Sequence, residues 1–329
     1  MTVASSRKKS PLSITKGPLF FSLVDYRNNY FINDDPNKII EFYNGFVNRD
    51  QLIKWMRERP KGVAVIHEVD GDKDIIVVIP TADYNGKYAR SCRENIFKGV
   101  HIIFVESGEV PDPYFNYAHN CNFGIEKALE YNPNWIIISN DDVQKADNIT
   151  ILMNELRRMN SSEIALVFTQ PAEYHSIPAR FSMPRFTRYL ILIYRMNLKR
   201  QIKLVLGQRK IERKYGCSLF VNPRRGLTHF MYKEGFDFIS FTDFGIFSAA
   251  FIKSFSGTFF DETFINGHED HDISISSFLE RRSYAFINFK IYDCVGATFG
   301  TGISRELRNL AGNVYLNYKH YGVLSEINK

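Results

Sequence analysis

An α/β fold with a mostly parallel, doubly wound sheet is predicted by three observations. Asp74–Pro80 (DIIVVIP), Val100–Val105 (VHIIFV) and Trp135–Ile138 (WIII) are continuous apolar runs rich in β-branched residues. Strands buried on both faces read this way. Between the runs lie stretches with helical character, Tyr88–Phe97 and Tyr117–Leu129. Strand, helix, strand, helix, strand at this spacing gives parallel strands with crossover helices. Each run also stops abruptly in small or acidic polar residues: Thr81 and Asp83, then Glu106 and Ser107, then Asn140, Asp141 and Asp142. In open α/β sheets the carboxyl ends of the strands are where ligands bind, so the three polar ends mark one candidate site.

The elements follow in order. Residues 1 to about 18 are basic and Ser-rich without apolar period, the composition of a disordered tail. Residues 19–72 form an N-terminal extension. Within it Asn48-Arg49-Asp50 opens an amphipathic helix, Gln51–Arg57, that Pro60 and Gly62 end, and Val63–Val69 reads as a strand. A packing role and no chemistry is expected of it. Beyond the anchor strand, Asn148–Met159 predicts a helix and Ile164–Phe168 a strand. Phe238–Phe251 is apolar and aromatic. A second acidic cluster follows, Asp261-Glu262 and then Glu269-Asp270-His271-Asp272, with Glu269 and Asp270 at the start of a helix that runs on through Glu280. Carboxylates at a helix start are stabilised by the helix dipole, so stability alone accounts for that placement. His268 and His271 fit no zinc spacing and are read as polar-network residues. Tyr284–Ile291 predicts a last strand and Arg305–Tyr318 a closing helix.

Composition narrows the class. The 329 residues are 44% hydrophobic and 24% charged, a globular chain with a large core. Four cysteines, Cys92, Cys121, Cys217 and Cys294, are widely spaced with no CxxC pair, which argues against a zinc site or disulfide framework and suits a reducing compartment. No apolar run approaches the roughly 20 residues of a spanning helix, and no secretory leader is legible. The expected location is cytoplasmic, with peripheral attachment to the inner face of a membrane. That attachment is tied to residues 180–225, where thirteen Lys or Arg stand against the single Glu212, a net +12 in a chain of net +6. Such a basic amphipathic insert has three readings: a solvated helical face, a surface for anionic lipid, or a binder of polyphosphate or nucleic acid.

The motifs, taken together, resemble those of the family 2 inverting glycosyltransferases of the GT-A fold, in their rhamnosyltransferase-like form. Ile79-Pro80-Thr81 resembles the family's opening strand end and Val105-Glu106-Ser107-Gly108 the acidic end of its second strand. Asn120-Cys121-Asn122-Phe123-Gly124-Ile125 is similar to the Asn-rich helix start, and Asn140-Asp141-Asp142 to the DXD metal motif in an Asn-first form. Phe260-Asp261-Glu262 followed by Gly267–Asp272 resembles the acceptor-side segment with its ED motif. The resemblance spans about Asp74 to Tyr321. It divides the chain into 1–72, a nucleotide-sugar half at 73–170, the basic insert at 171–238 and an acceptor-side half at 239–329.

The resemblance implies transfer of a sugar from a nucleotide-diphosphate sugar to a glycan or lipid-linked hydroxyl acceptor, with inversion. Pro80, Thr81, Asp83, Glu106, Asn122, Asn140 and Asp141 would lie along the donor, with Glu106 near the base or ribose. Asp142 with Asp141 would hold Mn²⁺ or Mg²⁺ on the diphosphate. Asp293, where the family often has a histidine, would be the third ligand. Asp270 would be the general base and Glu269 its partner. The alternatives are a nucleic-acid-binding α/β protein using residues 180–225, although nucleic acid is not the expected partner, and a GT-A-like protein that binds sugar without turnover.

Overall fold

A computed structural model describes residues 35–107, 114–169, 214–215, 244–265, 267–293 and 303–320. Most of the basic insert, and the tail before residue 35, lie outside the described residues. The central apolar runs become β2 (Asp72–Thr81), β3 (Val100–Ser107) and β4 (Trp135–Ser139). β2 pairs with β3 and β4 in parallel. Among the described residues these strands sit within a seven-stranded sheet that adds β1 (Ala64–Val69), β6 (Leu166–Thr169), β7 (Phe244–Ser248) and β8 (Tyr284–Ile287) in the order β1-β3-β2-β4-β7-β6-β8. Five strands run one way, while β1 and β7 oppose their neighbours. The sheet is therefore mixed and mostly parallel. That agrees with the mostly parallel expectation, and β1 and β7 are the strands that run against the rest.

Helices cover both faces because β2 alternates. Ile75, Val77 and Ile79 turn to one side, together with Ile102 and Phe104 of β3. There they meet α3 (Lys87–Ser91, continued by a π-helical turn at Cys92–Ile96) and α5 (Ile149–Arg158). Ile76 and Val78 turn to the other side with Ile103 and Val105 and meet α4 (Tyr117–Leu129), the short α6 (Ala249–Lys253) and Ile273. Ile273 belongs to α7 (Glu269–Leu279). α4 lies so close to the sheet that a Cβ on Gly124 would stand 2.4 Å from Val78 Cγ1 and 2.8 Å from Val105 Cγ2. Gly124 is thus required by the approach of helix to strand.

The N-terminal extension joins the body twice. β1 adds an antiparallel edge strand to β3. α1 (Pro36–Asn44) and α2 (Arg49–Glu58) bury Ile39, Phe42, Tyr43, Leu52 and Trp55 against α8 (Ile303–Lys319). The helix starts are capped as sequence chemistry dictates. Asp35 accepts from Asn37 N with Pro36 at the first helical position, and Asn48 accepts from Gln51 N. Tyr43 donates its hydroxyl to Leu307 O at 2.7 Å and accepts from Ala311 N at 3.0 Å. Tyr215, within the basic insert, is buried here and donates to Tyr43 O. The expected last strand is split into β8 and β9 (Ile291–Asp293), and β9 pairs with β5 (Val143–Ala146) in a separate two-stranded sheet.

Candidate functional site

The carboxyl ends of β2, β3 and β4 form one edge, and register sets its residues side by side. Thr81 pairs with Glu106 across β2 and β3. The β2–β4 ladder ends at Val78 and Ile138, two residues before Pro80, so the proline's missing N–H interrupts no bond to β4. The chain then continues from Ser139 into Asn140-Asp141-Asp142 alongside Thr81. The Thr81 hydroxyl donates to Asp141 Oδ2 at 2.6 Å. Burial pushes the Asp141 carboxyl up, and the Thr81 hydrogen bond partly opposes it. Asp142 is 5% exposed. Cys92 of the π turn donates its thiol to Asp141 O at 3.2 Å and is pushed up to about 12, by burial first and then by the charges of Asp141 and Asp142. A thiol shifted in this way keeps its proton at neutral pH.

Glu106 is held from two sides. Tyr84 N donates to Oε1 at 2.9 Å, and His67 Nε2 stands 2.7 Å from Oε2. Burial alone would raise this carboxyl. The two hydrogen bonds outweigh it and keep Glu106 below its ordinary value. Asp83 is exposed and accepts from Asn85 N at 2.9 Å, shaping the turn after β2. Asp293 is reached by backbone register, since it pairs with Val143, the residue after Asp142. The β5–β9 sheet thus brings the third expected metal ligand beside the Asp141-Asp142 turn. Among the described residues no group of three His, Cys, Asp or Glu is disposed to hold a metal.

A second constellation stands on the opposite face of the sheet, around the start of α4. Asn122 donates to Phe260 O at 2.9 Å and to Glu262 Oε1 at 3.1 Å, and accepts from Phe260 N at 2.9 Å. Asn116 donates to Glu262 O and Phe264 O. His119 Nδ1 approaches Glu262 Oε2 at 3.2 Å. The Asn-rich helix start is therefore a clamp on residues 260–264. The Asn122 amide is committed to that clamp. Burial works against the Glu262 charge, but His119, Asn122 and Lys61 together keep its carboxyl low.

The clamp leads into α7. Glu269 is 5% exposed, and its Oε1 finds no hydrogen-bond partner among the described residues. Burial, with the charges of Asp270 and Asp272 added, pushes it up to about 7. It lies close enough to α4 to raise the buried Cys121 thiol further. Asp270 keeps partial exposure and meets His271 Nδ1 through Oδ1 at 2.8 Å. Burial would raise Asp270, but the charge and hydrogen bond at His271 outweigh it and hold the carboxyl low. His271 is thus held in a polar contact with its neighbour Asp270. Asp272 is occupied by Lys319 at 2.9 Å and His320 at 2.7 Å and ties α7 to the end of α8. His268 adopts positive φ (78°) where α8 crosses. A Cβ on Gly312 there would meet Gly267 O at 2.5 Å.

The residues that the sequence did not single out are His67 and His119; Glu262 is singled out as part of the acidic cluster but not as the partner of α4. His119 and Asn122 are three apart on α4, hence on one face, and that spacing was the available signal. Among the described residues no helix is long and apolar enough to cross a membrane. Comparison of the chain with protein-family models, curated proteins and solved structures returned no match.

Proposed function

We propose that this protein is an inverting glycosyltransferase that moves a sugar from a nucleotide-diphosphate sugar to a hydroxyl acceptor. The observation that carries the reading is the set of carboxyls at the strand ends and at the start of α7. Burial pushes Asp141 up where Thr81 donates to it, and Glu106, in register with Thr81, is held low; at the start of α7 Glu269 is pushed up next to Asp270, which is held low. Titratable pairs driven apart by their surroundings are what acid–base and electrostatic catalysis needs. The mixed, mostly parallel sheet with helices on both faces is compatible with a GT-A-like fold.

Asp270 is the base in this reading. It is ionised at neutral pH and partly exposed, and His271 fixes one of its oxygens, leaving the other for a proton. That oxygen takes the proton of the acceptor hydroxyl as the hydroxyl attacks the anomeric carbon opposite the departing diphosphate. Glu269 is buried at the start of α7, and with its carboxyl pushed up to about 7 it is part protonated at neutral pH. Thr81 fixes the rotamer of Asp141 on the donor side. Mn²⁺ or Mg²⁺, when bound, would take up negative charge on the leaving diphosphate. The donor set fits such an ion, because Mg²⁺-type sites use one or two carboxylates and draw their other ligands from phosphate and water. Asp142 and Asp141 would hold it, with Asp293 beside them.

The test is thermal stabilisation by nucleoside diphosphates with and without Mn²⁺, since a ligand of the native state raises the melting temperature. One diphosphate should stabilise only with metal, and Asp142→Ala should remove the effect. If no nucleoside diphosphate stabilises the protein with any divalent ion, the transferase reading is wrong.

A further inference from the structure

β1 lies before the span that resembles the glycosyltransferases, yet it delivers a side chain to the same sheet edge. β1 runs antiparallel to β3 with His67 opposite Phe104 and Val65 opposite Glu106. Side chains directly opposite share a face, and so do residues two apart along a strand. His67 and Glu106 are therefore diagonal neighbours, and the imidazole reaches the carboxylate at 2.7 Å. An ionised carboxylate has only acceptors, so His67 Nε2 carries the proton and donates. The His67 ring stacks on Tyr84 at 4.2 Å with 6° between planes. Tyr84 is fixed in turn by Arg93, whose guanidinium lies 4.8 Å from the ring and donates to Tyr84 O at 2.7 Å. The same Tyr84 supplies the N–H to the other Glu106 oxygen. His67, Tyr84 and Arg93 thus form one brace, and Glu106 is its load.

We infer that His67 is a positioning residue for nucleoside recognition, holding Glu106 so that one unused lone pair on each oxygen faces a pair of adjacent donors on the ligand. The inference rests on the transferase reading, which supplies the nucleotide. Each Glu106 oxygen already accepts one hydrogen bond and can accept another. A carboxylate fixed in this way suits two N–H or O–H groups side by side. A nucleoside offers them as the vicinal ribose hydroxyls or as the adjacent N–H groups of guanine. Without His67 one oxygen loses its donor and the carboxylate is free to rotate. Affinity for the nucleoside part then falls while the diphosphate part is untouched.

The experiment is calorimetric titration of the full chain, as wild type, His67→Ala and His67→Gln. The probes are UDP, GDP, ADP and CDP with Mn²⁺, their 2′-deoxy forms, and Mn²⁺-pyrophosphate alone. His67→Ala should weaken the preferred nucleoside diphosphate about tenfold, the size of one charge-assisted hydrogen bond. His67→Gln, whose amide nitrogen can occupy the Nε2 position, should recover most of that loss. Mn²⁺-pyrophosphate should bind all three proteins alike. Selective loss on removing the 2′-hydroxyl assigns the paired donors to the ribose, and selective loss on exchanging guanine assigns them to the base. Equal binding of the nucleoside diphosphate by wild type and His67→Ala overturns the inference. So does a loss of Mn²⁺-pyrophosphate by the same factor, which would mark a folding defect. Pyrophosphate binding with no gain from any nucleoside also overturns it and leaves the transferase reading standing. Wild type that binds neither probe removes both.

Discussion

The two constellations at the sheet edge handle their charges by different physics. On the Thr81–Glu106–Asp141 side, strands in fixed register supply the residues, and the polar partners are near in space because pairing makes them so. On the Asn122–Glu262–Asp270 side, no ladder sets the positions. α4 grips residues 260–264 through side-chain amides and α7 starts from there. The first arrangement is as rigid as the sheet, whereas the second depends on a few buried hydrogen bonds and the crossing of α8. A site with one half on rigid strands and the other on a clamped segment can hold one ligand still while adapting to another.

Four changes test that contrast. The largest effect belongs to Asp270→Asn, expected to lower sugar transfer by on the order of a thousandfold while leaving Mn²⁺-dependent nucleotide binding and thermal stability near wild type. Lost binding would mean that the two halves are not separable.

Next is Glu269→Gln. The folded carboxyl sits at about 7 against an ordinary 4.5, so the folded protein keeps a proton that the unfolded chain gives up. The contribution of Glu269 to stability should be full below about pH 4.5 and decline as pH rises through 7, by on the order of 3 kcal/mol in total. Denaturant melts of the Gln variant should lack that decline. A decline of equal size in both proteins would assign it to another group.

Gly312→Ala tests the crossing of α8. In an open helix the change gains up to about 1 kcal/mol in propensity. Here the new methyl meets the Gly267 carbonyl, and a net loss of about 2 kcal/mol is expected, with transfer affected more than binding of Mn²⁺-pyrophosphate. A stabilised variant would show that the crossing is loose.

The smallest effect is that of Thr81→Val, which removes the hydroxyl that donates to Asp141. It should cost about 1 kcal/mol of stability and leave Asp270-dependent transfer intact when donor is saturating.

Much of the first constellation was legible, because buried strands announce themselves and their ends are adjacent by rule. α4 begins and ends at the residues its pattern indicated, 117 and 129. The direction of β7 was not legible. Phe244–Phe247 is a run without polar side chains, and such a run carries no sign of which way it pairs. The clamp was hidden for a different reason. His119 and Glu262 are 143 residues apart, and a pattern read through short windows cannot join them. Asn122 was noticed for its chemistry but assigned to a ligand, while its amide satisfies backbone groups of the chain itself. The His67–Glu106 contact escaped because β1 precedes the resembling span and was credited with packing alone.

The seam between α1 and α8 bears on how the chain is made. The Tyr43 hydroxyl bonds to Leu307 O, 264 residues further on. During synthesis Ile39, Phe42 and Tyr43 leave the ribosome long before residues 303–319 exist to cover them. At typical elongation rates the wait is tens of seconds. Throughout it α1 and α2 have each other, through Phe42 against Trp55, to cover apolar faces that α8 later seals.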